Sequence, residues 1–252
     1  MMQNSVEIGE LWGFWGTLLW GVLIFLVFNL GQMIPLIGYM AYEGLALTID
    51  SFFLFSKRVV TDSFLLFLAA MGGMVFVVPF VLGIIKFKQG AIMREYLSLN
   101  GFRLATLMLS IVTFIVLYLS IGVLTELLGA KETPDFMLNL EYPTLLSKML
   151  LVIAVVVAAP IVEEVVFRGF LLKGFANSFL GVHGAVVLTS LLWAVIHGQY
   201  EFIYLFMIFL IGIVFGYARV MTNSLYIPMI MHGLMNFWSV MGLFYLKGVF
   251  ES

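Results

Sequence analysis

Apolar runs of membrane-crossing length fill most of the chain, and short polar breaks separate them. Leu11 to Tyr42 is apolar but interrupted by Asn29, Gln32 and Pro35, which predicts one long kinked helix or a span followed by an interfacial turn. Ser63 to Ile85 and Leu104 to Leu124 form the next two runs. A polar interval, Glu126 to Lys148, carries Pro134 and Pro143; beyond it lie Met149 to Leu180, Val182 to Ile196, Phe202 to Tyr217 and Leu225 to Leu246. A helix needs about 20 apolar residues to cross a hydrocarbon core of about 30 Å. The runs lack the alternation of an outer-membrane barrel, so helices are expected. The pattern predicts an all-α, polytopic transmembrane helix bundle of about seven spans, with six to eight possible. The polar interval divides the chain into N-terminal helices and loops (1–147) and a second helical unit (148–247).

Composition supports this. Mean hydropathy is +1.14. Only 10% of residues are charged, against roughly a quarter in soluble domains, which excludes a soluble fold. The bilayer is therefore the first partner. A net charge of -2 with no basic run excludes nucleic acid as another. The chain has no cysteine, so disulfides, thiolate metal sites and a cysteine nucleophile are excluded. Lys86, Lys88, Arg94 and Arg103 against Glu95 alone make the most basic loop, expected to be cytoplasmic. Met1 to Glu10 is acidic and precedes no short cleavable apolar region, so the first run is counted as part of the mature protein. The expected location is a membrane, crossed several times, in a prokaryote.

Against this background the membrane-depth polar residues need a reason, since a charge at the centre of a bilayer costs about 2.5–3.5 kcal/mol even on lenient scales. The second unit carries Glu163, Glu164 and Arg168 in one apolar run, His197 in another, and His232 with Asn236 in the last. Glu164 and Arg168 are four apart and share a helix face, so they can pair. Glu163 points about 100° away and has no basic residue three or four positions along, which marks it as the free carboxylate. His232 and Asn236 also share a face. With a chain reversal near Gly181, Glu163 lies roughly 27 Å before the turn and His197 roughly 24 Å after it, so an antiparallel pair of helices lets them meet.

Each residue also has a structural reading. The Glu164–Arg168 pair serves folding, because a buried carboxylate needs a partner to stay charged. Glu163 alone fits a water-capped interfacial glutamate, and single histidines or Asn236 fit helix-to-helix hydrogen bonding. His183, beside Gly181 and Gly184, reads as a loop residue. Glu163, His197, His232 and Asn236 within one block of about a hundred residues favour a site over these separate readings.

Glu163-Glu164-x-x-x-Arg168, an aromatic residue four before His197, and His232-x-x-x-Asn236 resemble the three signature motifs of the CPBP family, the CAAX-prenyl-protease-like or Abi membrane proteins. Gly216-Tyr217-Ala218-Arg219 and Asn223 to Pro228 resemble the family's lead-in to its last motif. The resemblance covers about Lys148 to Phe237. Trp193 stands where the family more often has Phe, a change that could reshape the cavity wall. The resemblance implies an intramembrane endopeptidase that cleaves a peptide or lipidated-protein substrate near its C-terminus, without metal or other cofactor. By it, Glu163 is the general base, His197 holds the water, and His232 with Asn236 stabilises the oxyanion; Glu164, Arg168 and Trp193 support them. Independently of the family, a carboxylate among apolar helices is a stronger proton acceptor than one in water.

Three alternatives remain open on the sequence. Glu163, His197 and His232 make a three-ligand zinc set with an open position, although no His-Glu-x-x-His occurs. A non-catalytic scaffold, immunity or regulatory protein would keep the same motifs. A proton-coupled transporter would use the same residue types as a relay.

Overall fold

The structure, a computed structural model, describes residues 11–129 and 133–249. Met1 to Glu10, on which the expectation about a leader rests, lies outside them. Among the described residues the longer helices are α1 (Phe14–Tyr42), α2 (Ile49–Val59), α3 (Ser63–Phe87), α4 (Leu104–Leu127), α5 (Leu145–Ala176), α6 (Gly181–Val195), α7 (Phe202–Thr222) and α8 (Tyr226–Leu246). Within them no strand forms, and the only extended pairing is an isolated bridge between Asp62 and Glu141. Six of the helices, all but α2 and α6, are long and apolar enough to cross a membrane. The protein is a multi-pass, all-α integral membrane protein, as the apolar pattern predicts.

The first apolar run takes the single-long-helix form that was open to it, and two later features, α2 and the length of α6, depart from the pattern. α1 runs unbroken through Asn29, Gln32 and Pro35; the Asn29 amide satisfies itself by donating to the Phe25 carbonyl at 2.7 Å. α2 was not anticipated. Thr48 caps its start by accepting from the Ser51 N–H, Lys57 and Arg58 sit at its end, and only Phe55 is buried, so it is an amphipathic helix lying against the bundle. The run Val182 to Ile196 forms a helix of only 15 residues, about 22 Å long. That is short of a hydrocarbon core, so the turn after α6, which carries His197, falls within the depth of the bundle.

Glycines set the tightest helix crossings. α1 meets α3 at Gly31 and Gly72, where a Cβ on Gly72 would run into the Gly31 carbonyl oxygen. α7 meets α6 through Gly212-x-x-x-Gly216. A Cβ on Gly212 would lie 2.9 Å from the Ser190 Cβ and 3.1 Å from the Trp193 ring, and one on Gly216 would lie 2.9 Å from Val186. Lipid supplies no hydrophobic drive to hold helices together, so such close backbone approach is how they gain contact. This second crossing seats Trp193, 1% exposed, in the middle of the bundle.

α5 winds unevenly, and Pro160 accounts for the first irregularity. The helix starts with a capping box between Thr144 and Ser147 and then widens to π geometry over Ile153–Ala158 and again over Glu164–Leu171. The Ala159 N–H reaches the Ala154 carbonyl, five residues back. In that pattern the next carbonyl, Val155, would be served by residue 160, and proline has no N–H to offer. The orphaned oxygen instead accepts the Asn236 side-chain amide at 2.8 Å. π turns of this kind concentrate at functional sites, and here the second one carries Glu164 and Arg168.

Candidate active site

Four elements bring the polar residues together: the middle of α5, the end of α6 and the turn after it, and the first half of α8, with α7 closing behind. Glu163 ends the regular turn between the two π stretches of α5. Its Oε2 accepts a short hydrogen bond from the Trp193 indole N–H. The Nε2 atoms of His197 and His232 each lie 3.9 Å from that same oxygen. Glu163 is thus not the partnerless carboxylate that helical spacing alone suggests; it is held by α6, an element the spacing argument could not see. Its side chain is 16% exposed and that of His197 18%, whereas His232 is 3% exposed, so the cluster opens on one side only.

The outer nitrogens fix the tautomers. His197 Nδ1 is 2.7 Å from the Trp193 carbonyl, and a carbonyl can only accept, so the proton sits on Nδ1. His232 Nδ1 is 3.0 Å from Glu164 Oε1 and is likewise the donor. The Nε2 of each ring therefore faces Glu163. Separations of 3.9 Å are too long for direct hydrogen bonds and suit a water placed between these groups.

Behind them lies the buried pair. Arg168 Nη1 donates to Glu164 Oε1 at 3.0 Å and Nη2 to the Gly212 carbonyl at 3.3 Å, both side chains being 0% exposed. The guanidinium also lies over the Trp193 ring, 4.3 Å from its centroid. Glu164 Oε1 thus serves Arg168 and His232 together. Glu164 Oε2 and Arg168 Nε are buried without a hydrogen bond. The expected pairing of Glu164 with Arg168 is present, and spacing could not show the third member, His232, which arrives from α8.

Asn236 is not brought to this cluster by any hydrogen bond. Its amide is committed to the Val155 carbonyl, one π turn up α5. His183 is in the first turn of α6 rather than in a loop, with Nδ1 2.6 Å from the Tyr217 hydroxyl and far along α6 from His197. Arg219, singled out only as part of a lead-in, is buried and donates to the Arg168 and Tyr96 carbonyls at 3.1 and 3.4 Å, tying α7 to α5 and to the basic loop. Sequence reading also passed over Tyr200, whose ring stands 6.2 Å from His197. It lies in a polar turn, where hydropathy carries no signal. No group of three histidine, aspartate or glutamate side chains converges as a metal site among the described residues.

Beside the cluster, an apolar groove of about 490 Å³ runs between α5 and α8, lined by Val156, Pro160, Ile161, Met229, Gly233 and Phe237 among others. The groove lies between the two helices, α5 and α8, that carry Glu163 and His232, and neither of those side chains lines it.

Comparison with known proteins bears on this same segment. Residues 145–238 match the family model described as type II CAAX prenyl endopeptidase Rce1-like. A protein of Staphylococcus aureus (strain USA300) named membrane-embedded CAAX protease MroQ is 25% identical over 237 residues, 87% of each chain. An Escherichia coli protein named only as an uncharacterized 24.3 kDa protein is 30% identical over 112 residues, 43% of this chain and 46% of its own length. The chain thus spans about half of that relative. No solved structure matches.

Proposed function

Through residues 145–238 the chain belongs to the CPBP family of CAAX-protease-like membrane proteins, and from that premise we propose that it is an intramembrane endopeptidase acting near the C-terminus of a membrane-associated, lipid-bearing peptide or protein. The observation that carries the reading is the convergence of the His197 and His232 Nε2 atoms on Glu163 Oε2, each 3.9 Å from it. Glu163 takes one proton from a water that His197 and His232 help to hold, and the resulting hydroxide attacks the scissile carbonyl. Glu164 and Arg168 act through His232: the carboxylate oxygen that faces His232 Nδ1 orients the ring, and Arg168 donates to that same oxygen. Trp193 donates to Glu163 Oε2, the oxygen that both histidines face, and so fixes the orientation of the carboxylate.

The groove between α5 and α8 supports the substrate class. Its walls are almost wholly apolar and belong to the two helices that carry Glu163 and His232, which suits a hydrocarbon chain attached to the peptide. The test is cleavage of an internally quenched peptide ending in a farnesylated cysteine motif, by the full purified chain in detergent, beside Glu163→Gln and an unlipidated peptide of the same sequence. The wild type should cleave the lipidated peptide faster, and Glu163→Gln should not cleave it. Equal turnover by wild type and Glu163→Gln would reject the hydrolase and favour a scaffold.

A further inference from the structure

Lipid chains offer no hydrogen bonds, so a side-chain amide that faces them is left with whatever capacity its own helix does not use. Asn29 stands near the middle of α1, about 20 Å from either end, and its short side chain cannot reach headgroup water. α1 meets α3 at Gly31 and Gly72. Asn29 precedes Gly31 by two residues, about 200° around the helix, so its side chain points away from α3. Thr17, Ile24 and Gly31 are buried on the inner side of α1, whereas Asn29 is exposed together with Trp15, Leu18, Val22 and Phe25. Trp15, Val22 and Asn29 recur every seven residues, with Leu18 and Phe25 three after the first two, which is the a/d spacing of a helix-pairing seam. The bond from the Asn29 amide to the Phe25 carbonyl uses one of its two amide hydrogens. The second hydrogen and Oδ1 have no partner among the described residues.

We propose that the outer face of α1 is a self-association surface, on which two copies of this chain pair in the bilayer through Asn29. The chemistry left open selects a second copy as the occupant. One donor and one acceptor on the same amide are self-complementary. A two-fold axis along the bilayer normal sets both copies at one depth and places each Asn29 N–H on the Oδ1 of the other. A wholly apolar helix would cover the face and leave the amide unserved. A single Asn at an a position also fixes register, so Val22 faces Val22 of the second copy, two helical turns along the same seam. The surface belongs to α1, whereas α5, α6 and α8 with their turns carry the Glu163 cluster, so the pairing stands or falls apart from the hydrolase reading.

The experiment uses the full chain in phosphatidylcholine vesicles over a range of protein-to-lipid ratios. The chain has no cysteine, so Val22→Cys on the Asn29 face and Val112→Cys on lipid-exposed α4 each supply one thiol. Dyes on Val112→Cys, which leaves α1 untouched, should show energy transfer that rises with protein density and falls when lipid is added. Asn29→Leu in that background should weaken the dissociation constant at least about tenfold with an unchanged melting temperature. Oxidation with copper phenanthroline should join Val22→Cys into disulfide dimers and leave Val112→Cys monomeric; this arm, with Asn29 intact, decides should Asn29→Leu fold poorly. Energy transfer no greater than random collision at every density would overturn the proposal and leave the face to the helix of another protein. Association of Asn29→Leu as tight as that of the parent, or cross-linking of Val112→Cys as ready as that of Val22→Cys, would overturn it as well. Peptide cleavage enters none of these readouts, so none of them bears on the hydrolase.

Discussion

Replacing Arg168 by methionine keeps much of its bulk and removes its charge, and the surroundings determine what that costs. Arg168 and Glu164 are both 0% exposed. Glu164 would keep a single hydrogen bond, from His232, with its second oxygen already unpartnered. The Gly212 carbonyl would lose the Arg168 Nη2 donor, and Trp193 would lose the guanidinium on its face. Removing one partner of a buried pair costs about 3–5 kcal/mol, chiefly through the charge left behind. Glu163→Gln, at a side chain 16% exposed that keeps an oxygen for the Trp193 indole, should cost under about 1 kcal/mol. Unfolding in mixed micelles with increasing SDS, followed by tryptophan fluorescence, would measure both. The double variant Glu164→Gln with Arg168→Met removes both charges, so it should be more stable than Arg168→Met alone and leave a coupling of about 2 kcal/mol or more. Equal stabilities for Arg168→Met and Glu163→Gln, or strictly additive effects in the double variant, would refute the assignment of this pair to folding.

Asn236→Ala should destabilise by about 1–3 kcal/mol, because the Val155 carbonyl it serves cannot be served by Pro160; a variant as stable as wild type but inactive would instead place Asn236 in the chemistry. Gly212→Leu should displace Trp193, and with it the indole bond to Glu163, so peptide cleavage should fall at least about tenfold while Gly38→Ala, where nothing lies within 4 Å of an added Cβ, leaves it unchanged. Because an indole N–H is aimed at the carboxylate oxygen that both histidines face, zinc would have to displace it to bind there. Elemental analysis should therefore find well under one zinc per chain, and cleavage should survive prolonged chelation; stoichiometric zinc whose removal abolishes activity and whose return restores it would contradict this.

Hydropathy is a property of the one-dimensional chain, and the bilayer reads it almost directly, so six of the seven expected apolar runs form helices long enough to cross. Glu163, Glu164, Arg168, His197 and His232 were visible for the converse reason: a charged or polar group in such a run is costly, and a single sequence betrays it without any fold. Spacing also paired Glu164 with Arg168, since four residues along a helix is a local distance. What spacing could not supply was any relation between helices. That α6 stops at Val195, that Trp193 donates to Glu163, and that Glu164 serves His232 as well as Arg168 all depend on the α6–α7 crossing at Gly212 and the seating of α8 against α5. Asn236 is the sharpest instance. Its residue type and its place four after His232 suggest the site, and the sequence could not show that α8 also carries its amide to the Val155 carbonyl, which a proline 76 positions before Asn236 cannot serve. Tyr200 and α2 went unnoticed because a polar turn and an amphipathic surface helix contrast little with their neighbours in hydropathy. Local chemistry decided which groups would be costly to bury, and only tertiary packing decided which of them share a partner, because hydrogen bonds between helices are fixed by the register of one backbone against another.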